Sequence, residues 1–481
     1  MATRNVRQVP PTGDGASSSA GNGASAAPEE RPDRYRPLPT GTHGLDPELV
    51  KRDQRERLQK AMIELIATKG YPAVRIVDLA KLAHVSQPTF YSLFADKEDL
   101  FLSAYDAVAG RTAEVVMNAY DVDRPHEQRL IVAMRAWAEL AAAEPEATSL
   151  FVLGAFGAGA SVLERRRRLL EELERSIYAS RDGAQAAESD SADLTVKLII
   201  GGIREVTATR LRDGRASELP GLADELTAWA TSYPRRLPAG LGAPAARPRE
   251  SGEGTSAPPS ERARRAEGRL PSGRSDLPRQ FIVKSQRERI VDATAAIVAE
   301  KGLAALTIPE IARRANVSHQ TFYAIYDSKH DAFLGAQKVG MHQALAVAVE
   351  AYQAEQDDWP RAARAGLSAL LDYLASEPAH AHLSVVDTFA ACPEAIEIRK
   401  STLEAFAAYF GPAYELARGH VEVPAIAGEA IAGGIWQVMH HYVENDCIAE
   451  LPGAAAQLTY FALTPFLGAD QAAVYAVPDS A

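Results

Sequence analysis

Apolar positions recur with helical spacing in both halves of the chain. Intervals of three or four residues place apolar side chains on one face of an α-helix, and the strict alternation of a half-buried strand is absent. Two such series stand out: Leu58, Met62, Leu65 and Ile66, and Ile290, Ala293, Ile297 and Val298. The pattern therefore predicts an all-α fold.

Glycines end the first predicted helix of each half. Gly70 and Gly302 each follow a lysine, which is typical of a helix C-terminus. Short helices of about nine residues are predicted next, over residues 74–82 and 306–314. Brief turns then lead into a further helix in each half.

Serines precede the next helices at the position of an N-cap. Ser86 and Ser318 are placed to cap helices over residues 87–94 and 319–326. The helices after these have Asp96 and Ser328 as candidate caps. Each half therefore begins as three short helices with a helix-turn-helix in the middle.

The two halves are copies of one another. Identical segments recur 232 residues apart without a gap, so the chain contains a duplicated domain of roughly 190 residues. The matching segments are Gln54-Arg55-Glu56-Arg57 with Gln286-Arg287-Glu288-Arg289, Thr89-Phe90-Tyr91 with Thr321-Phe322-Tyr323, Gly201-Gly202-Ile203 with Gly433-Gly434-Ile435, and Glu218-Leu219-Pro220-Gly221 with Glu450-Leu451-Pro452-Gly453.

Composition divides the chain further. Segments rich in Gly, Ser, Ala and Pro without an apolar period are typical of disordered tails and linkers. The predicted segments are a disordered tail at 1–46, a first helix-turn-helix domain at 47–105, a first C-terminal helical domain at 106–235, a flexible linker at 236–280, a second helix-turn-helix domain at 281–337, a second C-terminal helical domain at 338–470, and a tail at 471–481.

Charge is unevenly distributed. The net charge of −11 argues against nucleic acid as a partner, but residues 51–104 carry nine basic and seven acidic side chains, and residues 279–338 carry nine and six. Phosphate contact depends on the local patch, so a basic head remains compatible with an acidic protein.

A helix-turn-helix places its second helix in the major groove of DNA. Gln87 and Gln320 are suited to pair with adenine, and His319 to donate to guanine or a phosphate. Hydroxyl groups that follow them suit phosphate oxygens, which set register rather than sequence. Lys97 and Lys329 begin the next helices, where free backbone N–H groups attract phosphate.

These motifs resemble the N-terminal domain of TetR-family transcriptional regulators. The pattern Val-Ser-x-x-Thr-Phe-Tyr-x-x-Phe/Tyr-x-x-Lys-x-Asp starts at Val85 and again at Val317. The frequent His of the family is replaced by Leu93 and Ile325. The resemblance implies DNA contact by Gln87, Pro88, Thr89, Tyr91, Ser92 and Lys97 in one head, and by His319, Gln320, Thr321, Tyr323 and Lys329 in the other.

The two reading segments differ chemically. Gln87-Pro88 corresponds to His319-Gln320, and Ser92 to an alanine. An operator with two unlike half-sites is therefore expected. The alternative is that one copy has lost DNA binding and serves only for pairing.

The resemblance also implies C-terminal helical domains that pair and enclose a ligand. The pairing helices are expected over residues 193–213 with 221–232, and 424–445 with 454–466, where Gly pairs permit close approach. Either the copies pair within one chain as a pseudo-dimer, or whole chains form a homodimer. Candidate ligand-binding residues are Trp137, Phe156, Tyr373, Asp387, Trp436 and His440.

Other functions have less support in the sequence. No nucleophile–base set or metal-ligand cluster occurs in both copies, so we expect neither an enzyme nor a cofactor or metal. Neither a membrane span nor a secretory signal is expected, and cysteine usage suits the cytoplasm. The prediction is a cytoplasmic, ligand-responsive repressor that binds double-stranded DNA. The alternative is a ligand-sequestering or protein-interaction module with degenerate DNA heads.

Overall fold

The computed structural model describes most of both predicted copies. The described residues are 35, 46–120, 126–154, 160–182, 191–192, 194–234, 236–238, 240–244, 278–386 and 393–477. Most of the predicted N-terminal tail and linker lie outside them. Of the predicted ligand residues, Phe156 and Asp387 also lie outside.

The first copy, called module one, is helical as predicted. Its helices are α1 Pro47–Lys69, α2 Ile76–Leu82, α3 Gln87–Leu93, α4 Lys97–Ala119, α5 His126–Ala143, α6 Pro145–Val152, α7 Ala160–Asp182, α8 Thr195–Arg212 and α9 Leu219–Thr231. Two-residue strands, β1 Ser191–Ala192 and β2 Ala243–Pro244, pair antiparallel.

The second copy, module two, repeats this order and has two additional short helices among the described residues, Gly411–Ala417 and Ala469–Ala476. Its helices are α10 Arg279–Lys301, α11 Ile308–Arg314, α12 His319–Tyr323, α13 Lys329–Ala354, α14 Trp359–Ser376, α15 Pro378–Val385, α16 Pro393–Ala408, α17 Gly411–Ala417, α18 Ala427–Glu444, α19 Ala455–Leu467 and α20 Ala469–Ala476. The all-α prediction is confirmed. The opening helices α1 and α10 have 23 residues each and are not short.

Side-chain caps define where the helices of each head begin. Ser86 accepts a hydrogen bond from the Thr89 amide, and Asp96 accepts one from the Asp99 amide. Ser318 and Ser328 do the same in module two. These caps satisfy amides that have no partner within the helix, so the four predicted caps are confirmed.

Each head has its own apolar core, and the C-terminal helices share a third. Phe90 and Phe101 are buried in the first head, and Phe322 and Phe333 in the second. The third core combines side chains of α8 and α9 with those of the module-two helices. The large C-terminal core therefore contains residues of both modules.

Helices α8 and α18 meet at their glycine pairs. A Cβ atom on Gly202 would lie 2.5 Å from the carbonyl oxygen of Ala430, and one on Gly434 would lie 2.5 Å from that of Leu198. Only glycine permits backbones to approach this closely. The close helix approach expected from the Gly-Gly pairs is confirmed.

Three segments differ from the predicted boundaries. Residues 469–476 form helix α20 where a tail was expected from 471, because Ala472 and Ala476, one turn apart, are buried in the shared core. Tyr35, within the predicted N-terminal tail, is buried and donates to Glu64 at 2.8 Å. Leu241, within the predicted linker, is buried too.

No helix within the described residues is both long enough and apolar enough to cross a membrane.

Candidate nucleic-acid interface

The turn before each candidate reading helix contains a residue in the left-handed region. His84 has a φ of 52° and Asn316 a φ of 51°. Asn and His adopt this conformation more readily than β-branched residues do. The turn brings α3 back across α2, and α12 across α11.

The first turn of each reading helix is fastened by a Ser–Thr pair. The Ser86 hydroxyl lies 2.7 Å from that of Thr89, and Ser318 and Thr321 are 2.9 Å apart. The threonine hydroxyls, predicted to contact phosphate, are therefore already engaged within the helix. Each hydroxyl still has acceptor capacity and can exchange its partner on binding.

An exposed polar face begins each reading helix. Tyr91 is 57% exposed and Tyr323 is 56% exposed, and each ring packs edge-on against the buried phenylalanine before it. The other predicted contacts at the surface are Gln87, Pro88, Ser92, His319 and Gln320. The structure thus places the predicted residues of α3 on one exposed surface, and those of α12 on another.

Aromatic side chains form the inner wall of each head. Phe90 and Phe322 are fully buried, and Phe94 and Tyr326 nearly so. Helix α12 ends at Tyr323, three residues before the predicted end, whereas α3 continues to Leu93.

The two lysines predicted to contact phosphate donate to backbone carbonyl oxygens of their own heads, and Lys329 remains exposed. Lys97 donates to the carbonyl oxygens of Tyr71 and Val74, both at 3.1 Å, and lies 4.1 Å above the Tyr71 ring. Lys329 donates to Leu306 at 2.9 Å. Burial lowers the pKa of Lys97. Each lysine therefore stabilises the segment between the first two helices of its head through these hydrogen bonds.

Sequence reasoning missed an arginine that holds each turn. Arg289 donates to the carbonyl oxygens of Ala315 and Asn316, both at 3.0 Å. Arg57 donates in the same way to Ala83 and to His84. The repeated Gln-Arg-Glu-Arg segment, which contains both arginines, carries this signal in the sequence.

A second repeated arginine braces the end of each reading segment. The Arg55 guanidinium lies 5.5 Å from the Phe94 ring centre, and that of Arg287 lies 5.7 Å from Tyr326. These cation–π contacts join α1 and α10 to the residues that follow the reading helices.

The flanks of the two heads differ in charge pairing. In module two, Arg313 pairs with Glu310 at 2.7 Å, and Arg314 pairs with Glu300. Hydrogen bonds from Arg313 and Lys301 lower the pKa of Glu310 to about 2. Lys81, the counterpart of Arg313, is exposed. The heads therefore offer different surfaces beside similar reading helices.

A cavity of about 60 Å³ lies in the C-terminal part of module two. Tyr373 and Trp436, both predicted ligand residues, line it together with Ala344 and His380. His440 does not line it: this residue is buried with its Nδ1 atom 3.4 Å from a Glu444 oxygen. Trp137 packs against Phe151 in module one, away from the cavity.

His380 connects the cavity wall to the second head. Its Nε2 atom lies 3.1 Å from an Asp292 carboxylate oxygen on α10, the first helix of that head. Its Nδ1 atom has no hydrogen-bond partner among the described residues. A group in the cavity can therefore reach a side chain that is bonded directly to the head.

One arginine of the run Arg165-Arg166-Arg167-Arg168 in α7 is buried. Arg166 is 3% exposed in α7, and burial lowers its pKa. Arg165, Arg167 and Arg168 form surface ion pairs as a solvated face would. Within the described ranges, no group of three or more His, Cys, Asp or Glu side chains is placed to hold a metal.

Comparison with known proteins identifies both heads. The family described as "Bacterial regulatory proteins, tetR family" matches residues 59–104 and 290–335. No curated protein matches the chain.

Solved structures give matches of low identity that cover one copy's length. The fatty acid degradation regulator FadR from Bacillus halodurans is 17% identical, covering 37% of this chain and 94% of that one, with a TM-score of 0.33. FadR from Bacillus subtilis, solved with stearoyl-CoA, is 20% identical. The match covers 36% of this chain and 96% of that one, with a TM-score of 0.33. A TetR-like regulator from Rhodococcus sp. RHA1 is 14% identical. The match covers 38% of this chain and 96% of that one, with a TM-score of 0.32.

Proposed function

Since two segments of the chain, one in each head, match the tetR family of bacterial regulatory proteins, we propose that the protein represses transcription from an asymmetric operator. The observation that carries the proposal is the pair of exposed polar surfaces on α3 and α12, each backed by buried aromatics. Both retain hydroxyl groups for phosphate, while their leading residues differ. One operator would therefore contain two unlike half-sites.

Specificity in this proposal comes from the leading residues of each reading helix. Gln87 and Gln320 would each form two hydrogen bonds with an adenine edge in the major groove. Tyr91 and Tyr323 would bind phosphates and set the register of each head. Because phosphate contacts release counterions, affinity should fall steeply with salt concentration.

The two modules would act as a pair within one chain. Helix packing of α8 against α18, together with the shared core, supports this arrangement. A tether raises the effective concentration of one module near the other to about the millimolar range. The rival arrangement is a homodimer of chains with four heads. Light scattering on the protein bound to its selected operator distinguishes one chain per site from two.

Glutamine substitutions test the assignment of the base contacts. Gln87→Ala should relax base preference in one half-site, and Gln320→Ala in the other, by about 1–3 kcal/mol of discrimination. Selection from randomised operators measures this preference for each variant. Gln356→Ala, an exposed glutamine between α13 and α14, is the matched control. Equal weakening on every sequence would contradict a base-reading role.

The cavity of module two is the proposed effector site. Its walls are mostly apolar, and the unpartnered nitrogen of His380 offers one polar contact. We therefore infer an apolar effector with a single hydrogen-bonding group. A cavity of about 60 Å³ is smaller than the ~150 Å³ that holds benzene. Binding would part the helices and, through His380 and Asp292, move the second head.

Filling the cavity should remove the response to small apolar molecules. Ala344→Leu places a larger side chain in the cavity, so benzene should no longer raise Tm. In the unmodified protein, benzene can enter only if the helices around the cavity part, and at 100 times its Kd it should then add about 2.7 kcal/mol. Thermal melts with and without benzene measure this effect. Ala346→Leu, exposed on the same helix, is the control; stabilisation of Ala344→Leu by benzene would exclude the cavity as the site.

A further inference from the structure

Side-chain contacts between α8 and α18 come in pairs related by the 232-residue repeat. A Cβ atom on Gly201 would lie 2.6 Å from Cβ of Gln437, and one on Gly433 would lie 2.3 Å from Cβ of Glu205. Adding 232 to the number of the module-one residue and subtracting 232 from the number of the module-two residue converts the first contact into the second. The helices therefore pair about a local two-fold axis, as in a homodimer.

The charges on this surface do not follow the two-fold axis. Arg210 of α8 binds both carboxylate oxygens of Glu429 on α18, at 2.6 and 2.5 Å. The symmetry-related positions hold Lys197 and Tyr442. The ion pair therefore has no symmetry-related counterpart between Lys197 and Tyr442. The Arg210 side chain is 11% exposed, so solvent screens the pair only partly.

Two further ion pairs cross between the modules with the opposite polarity. Glu205 accepts two hydrogen bonds from Arg399, and Asp213 accepts one from Lys400 at 2.8 Å. Each places a carboxylate of module one against a cation of α16. The corresponding positions of α18 hold the uncharged amides Gln437 and Asn445.

An aromatic pair of unequal size occupies the axis. Trp229 and Phe461 are 232 residues apart and face each other with ring centres 5.9 Å apart and an interplanar angle of 85°. Both rings are buried. A Cβ atom on Gly202 would lie 2.4 Å from the Trp229 ring, so no space remains beside the indole.

From this one-sided surface we propose that each module recognises the other module and rejects a second copy of itself. The pairing surface is the contact face of α8 and α18 with Trp229 and Phe461. The inference extends the proposed pairing of modules and does not require DNA binding. Specificity of this kind needs unfavourable contacts in the wrong complex as well as favourable ones in the right complex.

A dimer of two module-one copies and a dimer of two module-two copies would each contain unfavourable contacts, which differ between the two dimers. Two α8 helices would bring Arg210 of each copy against Lys197 of the other, and two indoles to the axis where one indole and one phenyl now fit. Two α18 helices would bring Glu429 against Tyr442 and lose every crossing ion pair. The mixed pair alone matches Arg210 with a carboxylate and places one indole against one phenyl ring.

Reversal of one charge should change the partner. In an Arg210→Glu chain, residue 210 repels Glu429 of the same chain and attracts Lys197 of a second chain. A specific protease site inserted between residues 244 and 278 allows the folded chain to be cut. Native mass spectrometry then identifies the pairs after the cut halves have exchanged partners to equilibrium.

Mixed pairs should dominate for the unmodified sequence, and homodimers of module one should appear with Arg210→Glu. The double variant Arg210→Glu/Glu429→Arg should restore mixed pairs, which also shows that the single variant failed in pairing rather than in folding. Arg135→Glu reverses an arginine whose partner, Asp224, lies in module one, and it should leave the mixed pair unchanged.

Two results would overturn the inference: a statistical mixture of the three pairs for the unmodified sequence, or mixed pairs that persist in Arg210→Glu. Pairing lost in both the single and the double variant would also count against it. Failure of the uncut protein to select any DNA sequence would instead refute the proposed function and leave the pairing result intact.

Discussion

Tyr323→Glu should lower affinity for the complete operator by about 10²–10⁴-fold, because it removes one of two tethered heads. The new carboxylate would face DNA phosphates from the exposed side of α12. The ring is 56% exposed, so the substitution leaves the core of the head intact. Gel-shift titration at fixed salt concentration measures the loss, and thermal melts verify that the variant is folded.

Matched variants separate the two heads. Tyr91→Glu should produce a loss of similar size through the first head, and Tyr323→Phe should retain most of the affinity, since it loses only one hydroxyl contact. Full affinity in Tyr323→Glu would mean that the second head does not contact DNA. That result would favour the alternative in which one copy serves only for pairing.

Arg399→Met should lower the free energy of unfolding by about 3–5 kcal/mol, because it leaves the buried Glu205 carboxylate without its main partner. Arg399 donates to both Glu205 oxygens across the module boundary, with Nη1 to Oε1 at 3.0 Å. Arg212 still contacts one of these oxygens at 3.0 Å. Urea unfolding at pH 7 measures the change.

The loss should depend on pH. Burial alone would raise the pKa of Glu205, but Arg399 and Arg212 outweigh it and lower the pKa from 4.5 to about 2. A shift of this size contributes about 3 kcal/mol above the unfolded pKa. The contribution declines as the pH falls from 4.5 towards 2. In Arg399→Met the unfolding free energy should therefore depend less on pH across this window.

The control is the neutral double variant Glu205→Gln/Arg399→Met. Removing both charges leaves no unpaired buried carboxylate, although Arg212 loses its Glu205 partner, so only part of the lost stability should return. Equal stability of the single and the double variant would contradict the proposed role of this pair. Lys400→Met, which removes a more exposed ion pair to Asp213, should have a smaller effect.

Local sequence was sufficient for the architecture of the heads. The spacing of apolar residues located the helices, and Ser86 and Ser318 marked the starts of the reading helices. These features depend on residues within a few positions of one another. The constant distance of 232 residues established the duplication, whereas the Gly pairs indicated only that a close helix approach was permitted.

Only the tertiary structure decided where the charged side chains lie. Lys97 turns to backbone carbonyls 23 and 26 residues away, and Arg399 meets Glu205 from 194 residues away. A long cationic side chain has the same local signature on a surface as in a buried ion pair, and its burial depends on whether a distant carboxylate or carbonyl arrives beside it. The sequence by itself therefore determined two helical copies with helix-turn-helix heads. The fold decided which charges cross between them and in which direction, because those contacts join residues that no local pattern connects.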